Sequence, residues 1–126
     1  MTRMSPKAKV DIARGHLTKA QADAAEGDLR DALQWSFASL EAAIDALASA
    51  HGIATDQQHW KRRDAAKMLH EQGVLPKDLS GLHGQLNEER QAVFYDGAEP
   101  TPEDVDIDSI LADVEEAVVA AEEEAR

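Results

Sequence analysis

The most constraining feature of the chain is a seam of apolar side chains in its second quarter. Five of them recur at intervals of four and three residues: Leu33, Phe37, Leu40, Ile44 and Leu47. Side chains at these intervals share one face of a helix, whereas the faces of a strand alternate every second residue. The seam therefore predicts a long amphipathic helix over about 28–50, in which Trp35 lies on a second apolar face.

Four further helices are predicted from apolar periodicity and from the residues that start and stop helices. Gly27, Gly52 and Gly73 follow helical patterns and mark helix ends. The predicted ranges are about 6–26, 56–72, 76–95 and 102–124.

Helix starts are predicted from capping residues. Asp28 caps the second helix, and Thr55-x-x-Gln58 has the form of a capping box for the third. Pro76 suits the first position of the fourth helix. Thr101 and Pro102 suit the start of the fifth, whose acidic last residues are expected to fray because they oppose the helix dipole.

The predicted fold is all-α, a single domain over 1–126. Only 4% of the residues are aromatic, so the core must consist mainly of Ala, Leu, Val and Ile. Short connections between the helices favour an antiparallel up-and-down bundle of four to five helices.

Negative charge is concentrated in the last segment. Residues 99–126 carry 11 acidic residues and one basic residue, or -10 of the total of -12. An acidic chain is a poor general binder of nucleic acid. The chain has one basic patch, formed by Lys61, Arg62, Arg63 and Lys67. This patch is either a phosphate site or a solvated face that nearby acids neutralise.

Several classes of protein are excluded or disfavoured. The chain has no cysteine, which excludes disulfides and thiol chemistry. No apolar run reaches the ~20 residues of a membrane span, and the first residues lack an apolar signal core, so a cytoplasmic protein is expected. The five histidines show no local metal-ligand spacing, so we expect no metal and no cofactor.

Arg90 breaks the apolar pattern of the fourth helix. It falls four residues after Leu86 and three before Val93, on or beside the apolar stripe. A cation in that position costs free energy unless a partner compensates it. The interpretations are a ligand-binding or catalytic arginine, with Tyr95 beside it, or a structural arginine paired with Glu41, Glu88 or an acid of a second subunit.

Four stretches of the chain resemble the HEPN superfamily, in particular its small single-domain prokaryotic members. The resemblance runs from about 17 to 97 and rests on the order and spacing of the stretches. They are Leu17–Ala20 with Gly27–Ala32; Trp35–Ala43; Gly52-Ile53 with His59; and Gly73–Leu79 with Leu86–Tyr95.

The resemblance implies an antiparallel bundle that pairs as a homodimer. Family members with an Arg-x4-6-His motif resemble metal-independent ribonucleases, and many are toxins paired with a nucleotidyltransferase-like antitoxin. Arg90 matches the motif's arginine, but Tyr95 stands at the histidine position. His59 matches a histidine found at that place in related proteins. Tyrosine is a poor proton acceptor near neutral pH, since its ordinary pKa is about 10.

Three functions remain open. The first is a non-catalytic binding or regulatory module linked to RNA or nucleotide metabolism, in a toxin–antitoxin or defence setting. The second is an active metal-independent endoribonuclease that uses Arg90 with Tyr95 or His59. The third is a purely structural helical interaction protein. The alternative to a functional role for His59 is that it is a capping or surface histidine.

Overall fold

The computed structural model describes residues 5–126, and the chain is all-α over that range. Five α-helices follow one another: α1 Pro6–Ala25, α2 Leu29–Ala50, α3 His59–Glu71, α4 Ser80–Tyr95 and α5 Ile107–Glu124. The all-α prediction is therefore confirmed. Among these helices, none combines the length and apolarity that crossing a membrane requires.

The central element is α2, which packs against each of the other four helices. All five residues of its predicted seam are buried, with exposures of 4% or less. The second face also reaches the core, because Ala32 and Ala46 are buried. Apolar side chains on both faces allow α2 to contact all four neighbours, and three of its polar residues are buried there: Ser36, Ser39 and Glu41.

The start of α2 agrees with its predicted cap, and the end of α1 agrees with its predicted glycine. The Asp28 carboxylate accepts a hydrogen bond from the Asp31 amide at 3.1 Å and caps α2. Gly27, at φ 80°, makes the left-handed turn that ends the preceding helix. The Gly27-Asp28 junction sets the first residue of α2, and the seam sets which face of α2 is buried.

The predicted start of α3 is wrong by three residues. Asp56 and Gln57 adopt left-handed backbone angles, with φ of 50° and 57°, so they cannot belong to a helix. The Thr55 hydroxyl does not cap the helix either, because it donates to Asp45 Oδ1 at 2.9 Å. The helix begins at His59, which places that histidine in the first turn, beside α2.

The predicted starts of α4 and α5 are also too early. Asp78 accepts a hydrogen bond from the Ser80 amide, so α4 begins at Ser80 rather than at Pro76. Thr101 closes only a single turn, whereas Asp106 caps α5 by accepting from the Ser109 amide at 3.1 Å. Aspartate is a stronger N-cap than threonine, which favours the later start. The acidic C-terminal helix is therefore 107–124.

The end of α5 does not fray as predicted, because basic side chains hold it. Arg14 donates to both oxygens of Glu122, at 2.6 and 3.0 Å, and to Glu115 at 2.7 Å. His51 Nε2 lies 3.1 Å from Glu124. These contacts tie the last turns of α5 to α1 and to the end of α2, and α5 remains helical to Glu124.

Replacing Arg14 with methionine is expected to lower the free energy of unfolding by about 1 kcal/mol at neutral pH, as for a half-exposed bidentate pair. The hydrogen bond from Arg14 holds the pKa of Glu122 below its ordinary 4.5. A depressed folded-state pKa stabilises the protein above the unfolded pKa, and this contribution disappears as pH falls through the folded value. Urea unfolding should therefore show a difference between Arg14→Met and wild type that narrows below pH 4.5. A difference independent of pH would contradict this assignment.

Candidate functional site

The three candidate residues from the sequence lie around one pocket. An open pocket of about 450 Å³ lies between α2, the start of α3 and the end of α4. Arg90, Tyr95 and His59 all line it, together with Phe37 and Glu41 of α2. The sequence separates these residues by up to half of the chain, and the packing of three helices brings them together.

Arg90 lies in this pocket without an acidic partner. Its Nη2 donates to the Asn87 side-chain oxygen at 3.2 Å, and its Cζ lies 5.1 Å from the centre of the Phe37 ring. Its Nε–H is buried and has no hydrogen-bond partner. Within residues 5–126, no carboxylate is at ion-pair distance from the guanidinium, so the predicted pairing with Glu41 or Glu88 is not formed.

Glu41 is the buried acid at the base of the pocket. Its Oε2 lies 2.6 Å from His59 Nδ1 and 2.9 Å from His83 Nε2. His83 is 1% exposed, and its ring packs 5.2 Å from that of Phe37. One carboxylate oxygen thus joins histidines from α3 and α4 to the centre of α2.

Arg62 pairs with two acids of α2, Glu41 and Asp45. It donates to Glu41 Oε1 at 3.2 Å and makes two hydrogen bonds to Asp45, at 2.9 and 2.7 Å. Its side chain is only 12% exposed. Because Glu41 and Asp45 both pair with Arg62, neither of them pairs with Arg90, which remains free to bind an external anion.

The charge state of Glu41 follows from these contacts. Burial alone would raise the pKa of Glu41, but hydrogen bonds from His83 and His59 and the charge of Arg62 hold it below its ordinary value. The carboxylate is therefore ionised at neutral pH, and it orients the His59 ring by binding Nδ1. While this hydrogen bond is present, the ring nitrogen of His59 that is left for a ligand is Nε2.

Tyr95 and His59 differ in how firmly they are held. Tyr95 is 76% exposed at the mouth of the pocket, where it ends α4 beside Phe94, which is also exposed. His59 is held by Glu41, and the Phe37 ring lies 5.4 Å from its own. Of the two candidate residues, His59 therefore has the more defined position.

The basic patch divides in the structure. Arg62 turns inward to the acids of α2, while Lys61 pairs with Asp56 on the surface. Arg63 and Lys67 remain exposed. The patch is thus not a continuous phosphate-binding face, and Arg62 is a largely covered structural arginine.

His83, Asp45 and the inward position of Arg62 were not predicted from the sequence. A signal for Arg62 was present, since it is in helical phase with the buried Ala65, Ala66 and Leu69. No comparable signal marked His83, because its partner is 42 residues away in the chain. Comparison with family models, with curated proteins and with solved structures finds no match to this chain.

Proposed function

We propose that the chain is a HEPN-like binding module whose pocket takes a phosphate group of RNA or of a nucleotide. The observation that carries the proposal is the Arg90 guanidinium, which lines an open pocket without any carboxylate partner among residues 5–126. A partly desolvated guanidinium without a counter-ion is costly unless an anion joins it. Its planar donors match phosphate oxygens in pairs.

The rest of the pocket suits a nucleotide. Phe37, Phe94 and Tyr95 are three of the five Phe, Trp and Tyr residues of the chain, and all line this pocket. Phe37 is buried, whereas Phe94 and Tyr95 are exposed. Exposed aromatic side chains stack on unpaired bases, which is the usual way that proteins hold single-stranded RNA. The acidic surface elsewhere disfavours nonspecific binding, so recognition is concentrated at the pocket.

The biological setting of the proposal rests on the resemblance to HEPN proteins. It includes a homodimer, a nucleotidyltransferase-like antitoxin as the protein partner and a role in toxin–antitoxin function or defence. The antiparallel arrangement of the helices belongs to the same proposal. A molecular mass measured in solution tests the dimer separately from ligand binding.

Replacing Arg90 with alanine is expected to weaken binding of a single-stranded RNA oligonucleotide by about ten- to a hundredfold. Hydrogen bonds to charged groups are worth about 1.5–3 kcal/mol, and each 1.4 kcal/mol is a factor of ten. Fluorescence anisotropy at fixed salt measures the affinity. The matched control is Arg63→Ala, which removes an exposed arginine that does not line the pocket. Equal losses in the two variants would contradict a pocket-based site.

A second candidate function is metal-independent cleavage of RNA by Arg90 with His59 or Tyr95. It is favoured by the presence of His59 in the Arg90 pocket, with its Nδ1 held 2.6 Å from Glu41. In the presence of EDTA, cleavage that is lost in Arg90→Ala and in His59→Gln would establish this activity. Binding without cleavage would establish the non-catalytic module instead. Loss in Tyr95→Phe but not in His59→Gln would assign the proton transfer to Tyr95.

A further inference from the structure

Three side chains that commonly bind metals converge where α2, α3 and α4 meet. Glu41 Oε2, His59 Nδ1 and His83 Nε2 all lie within 4.8 Å of one another. In the part of the chain that the structure describes, no other group of histidine, cysteine and acidic side chains meets this condition. Each of the three residues comes from a different helix, so the cluster depends on the tertiary fold rather than on any local motif.

We propose that Glu41, His59 and His83 bind one divalent transition-metal ion, with zinc as the ion that fits best. Two imidazoles and one carboxylate form a donor set used by open zinc sites, in which a water molecule or a substrate takes the fourth position. A similar set also binds iron(II), so the chemistry selects the borderline transition metals over magnesium or calcium, which prefer oxygen ligands. The proposal is independent of whether RNA binds.

The present geometry needs only a small adjustment to hold the ion. Zinc lies about 2.0–2.2 Å from nitrogen and oxygen ligands, so tetrahedral ligand atoms are roughly 3.3–3.6 Å apart. The carboxylate oxygen is now closer than that to both rings, at 2.6 and 2.9 Å. A withdrawal of the carboxylate by about 1 Å creates the space for the ion, and three metal bonds then replace the two hydrogen bonds. Each imidazole would bind the ion through the nitrogen that now faces Glu41, and the proton on that nitrogen would move to the other ring nitrogen or to solvent.

The surroundings support the ligands. Arg62 donates to Glu41 Oε1 at 3.2 Å and leaves Oε2 for the ion, an outer contact of the kind that orients ligating carboxylates. Glu41 and His83 are buried, at 8% and 1% exposure, which gives the ion a preformed and partly dry site. The His59 side chain is 48% exposed and lines the pocket, so it provides the route of entry.

The proposal departs from the expectation drawn from the sequence, which relied on local spacing. Separations of 18 residues between Glu41 and His59, and 42 between Glu41 and His83, match no short metal motif. The open position of the ion would face the pocket that Arg90 lines. A bound metal and Arg90 would then present two positive centres to an anion in the same pocket.

The test uses the full chain without a histidine tag and without RNA. Calorimetry with Zn²⁺ should show one ion bound per chain, and Co²⁺ should give the visible absorption bands of a nitrogen-ligated, four-coordinate ion. His59→Gln and His83→Gln should each weaken binding by at least about tenfold, the loss seen even for outer contacts of metal sites. The control is His51→Gln, whose ring instead contacts Glu124 and should leave binding unchanged.

His59→Gln is the decisive variant because its side chain is half exposed and its loss should leave the fold intact, which circular dichroism verifies. Binding of less than one ion, equal affinity in this variant and in wild type, or equal losses in His51→Gln would overturn the proposal. Since no RNA is present, failure here leaves the proposed RNA or nucleotide binding untouched. Likewise, if RNA does not bind, the proposed metal site is not contradicted.

Discussion

Replacing Arg62 with methionine is expected to lower the free energy of unfolding by about 3 kcal/mol. Removal of one partner of a buried ion pair costs about 3–5 kcal/mol because the other charge stays buried and uncompensated. Arg62 serves two such acids, Glu41 and Asp45, whose side chains are 11% and 17% exposed. The lower end of the range applies because His59 and His83 continue to bind Glu41. Methionine keeps the helix propensity and the length of the side chain.

Urea unfolding and thermal melting measure this loss, which corresponds to a fall in melting temperature of roughly 10 °C for a chain of this size. The control is Lys7→Met, because Lys7 and Asp11 form an ion pair that is largely exposed to solvent. That pair should contribute less than about 0.5 kcal/mol. If Arg62→Met and Lys7→Met are equally stable, the acids of α2 do not depend on Arg62 and the account of this network is wrong.

Replacing Arg90 with methionine is expected to have the opposite effect on stability. Arg90 has no acidic partner among residues 5–126, and its Nε–H is buried without a hydrogen bond. An unsatisfied buried donor costs about 1–3 kcal/mol, whereas methionine covers the Phe37 ring without that cost. The loss of the cation–π contact offsets part of the gain. The net expectation is a free energy of unfolding that is unchanged or raised by about 1 kcal/mol.

This variant separates a functional arginine from a structural one. If Arg90 only fixes the register of the bundle, Arg90→Met should unfold at lower urea concentration and lose any self-association. If Arg90 exists to bind an anion, the variant should be at least as stable as wild type and should bind RNA poorly. A clear loss of stability without any ligand response would favour the purely structural interpretation.

The sequence was most informative where short-range rules act. The seam of α2 predicted a buried helix because intervals of four and three residues have one geometric solution. Asp28 predicted a cap because its carboxylate needs only the amide three residues later. Gly27 predicted a helix end because a positive φ suits glycine.

Helix starts after the longer loops were harder to predict, since tertiary contacts decide among competing caps. Thr55 has the right residue type and spacing for a cap, yet its hydroxyl binds Asp45 from another helix. Thr101 forms a turn, but Asp106 provides the better cap and begins α5. At Thr55 a tertiary contact takes up the capping hydroxyl, whereas at Thr101 a stronger cap, Asp106, lies five residues further along the chain.

The site itself was only partly predictable. Arg90 was visible because it interrupts an apolar stripe, and Glu41 carried the same signal, since it follows Phe37 by four residues on the buried side of α2. No rule based on sequence spacing predicts which basic residue binds Glu41. Arg62 does so from α3, which leaves Arg90 without the partner that the sequence suggested.

The most direct test of the central claim follows the Arg90 Nε–H group by nuclear magnetic resonance during titration with a single-stranded RNA oligonucleotide. The Arg90 Nε–H has no hydrogen-bond partner among residues 5–126, so binding of a phosphate to the guanidinium should change its resonance strongly. The account predicts a saturable shift of the Arg90 signal, at concentrations that match the affinity measured by anisotropy. The contradictory result is a shift confined to the exposed Arg63, with the Arg90 signal unchanged at saturation.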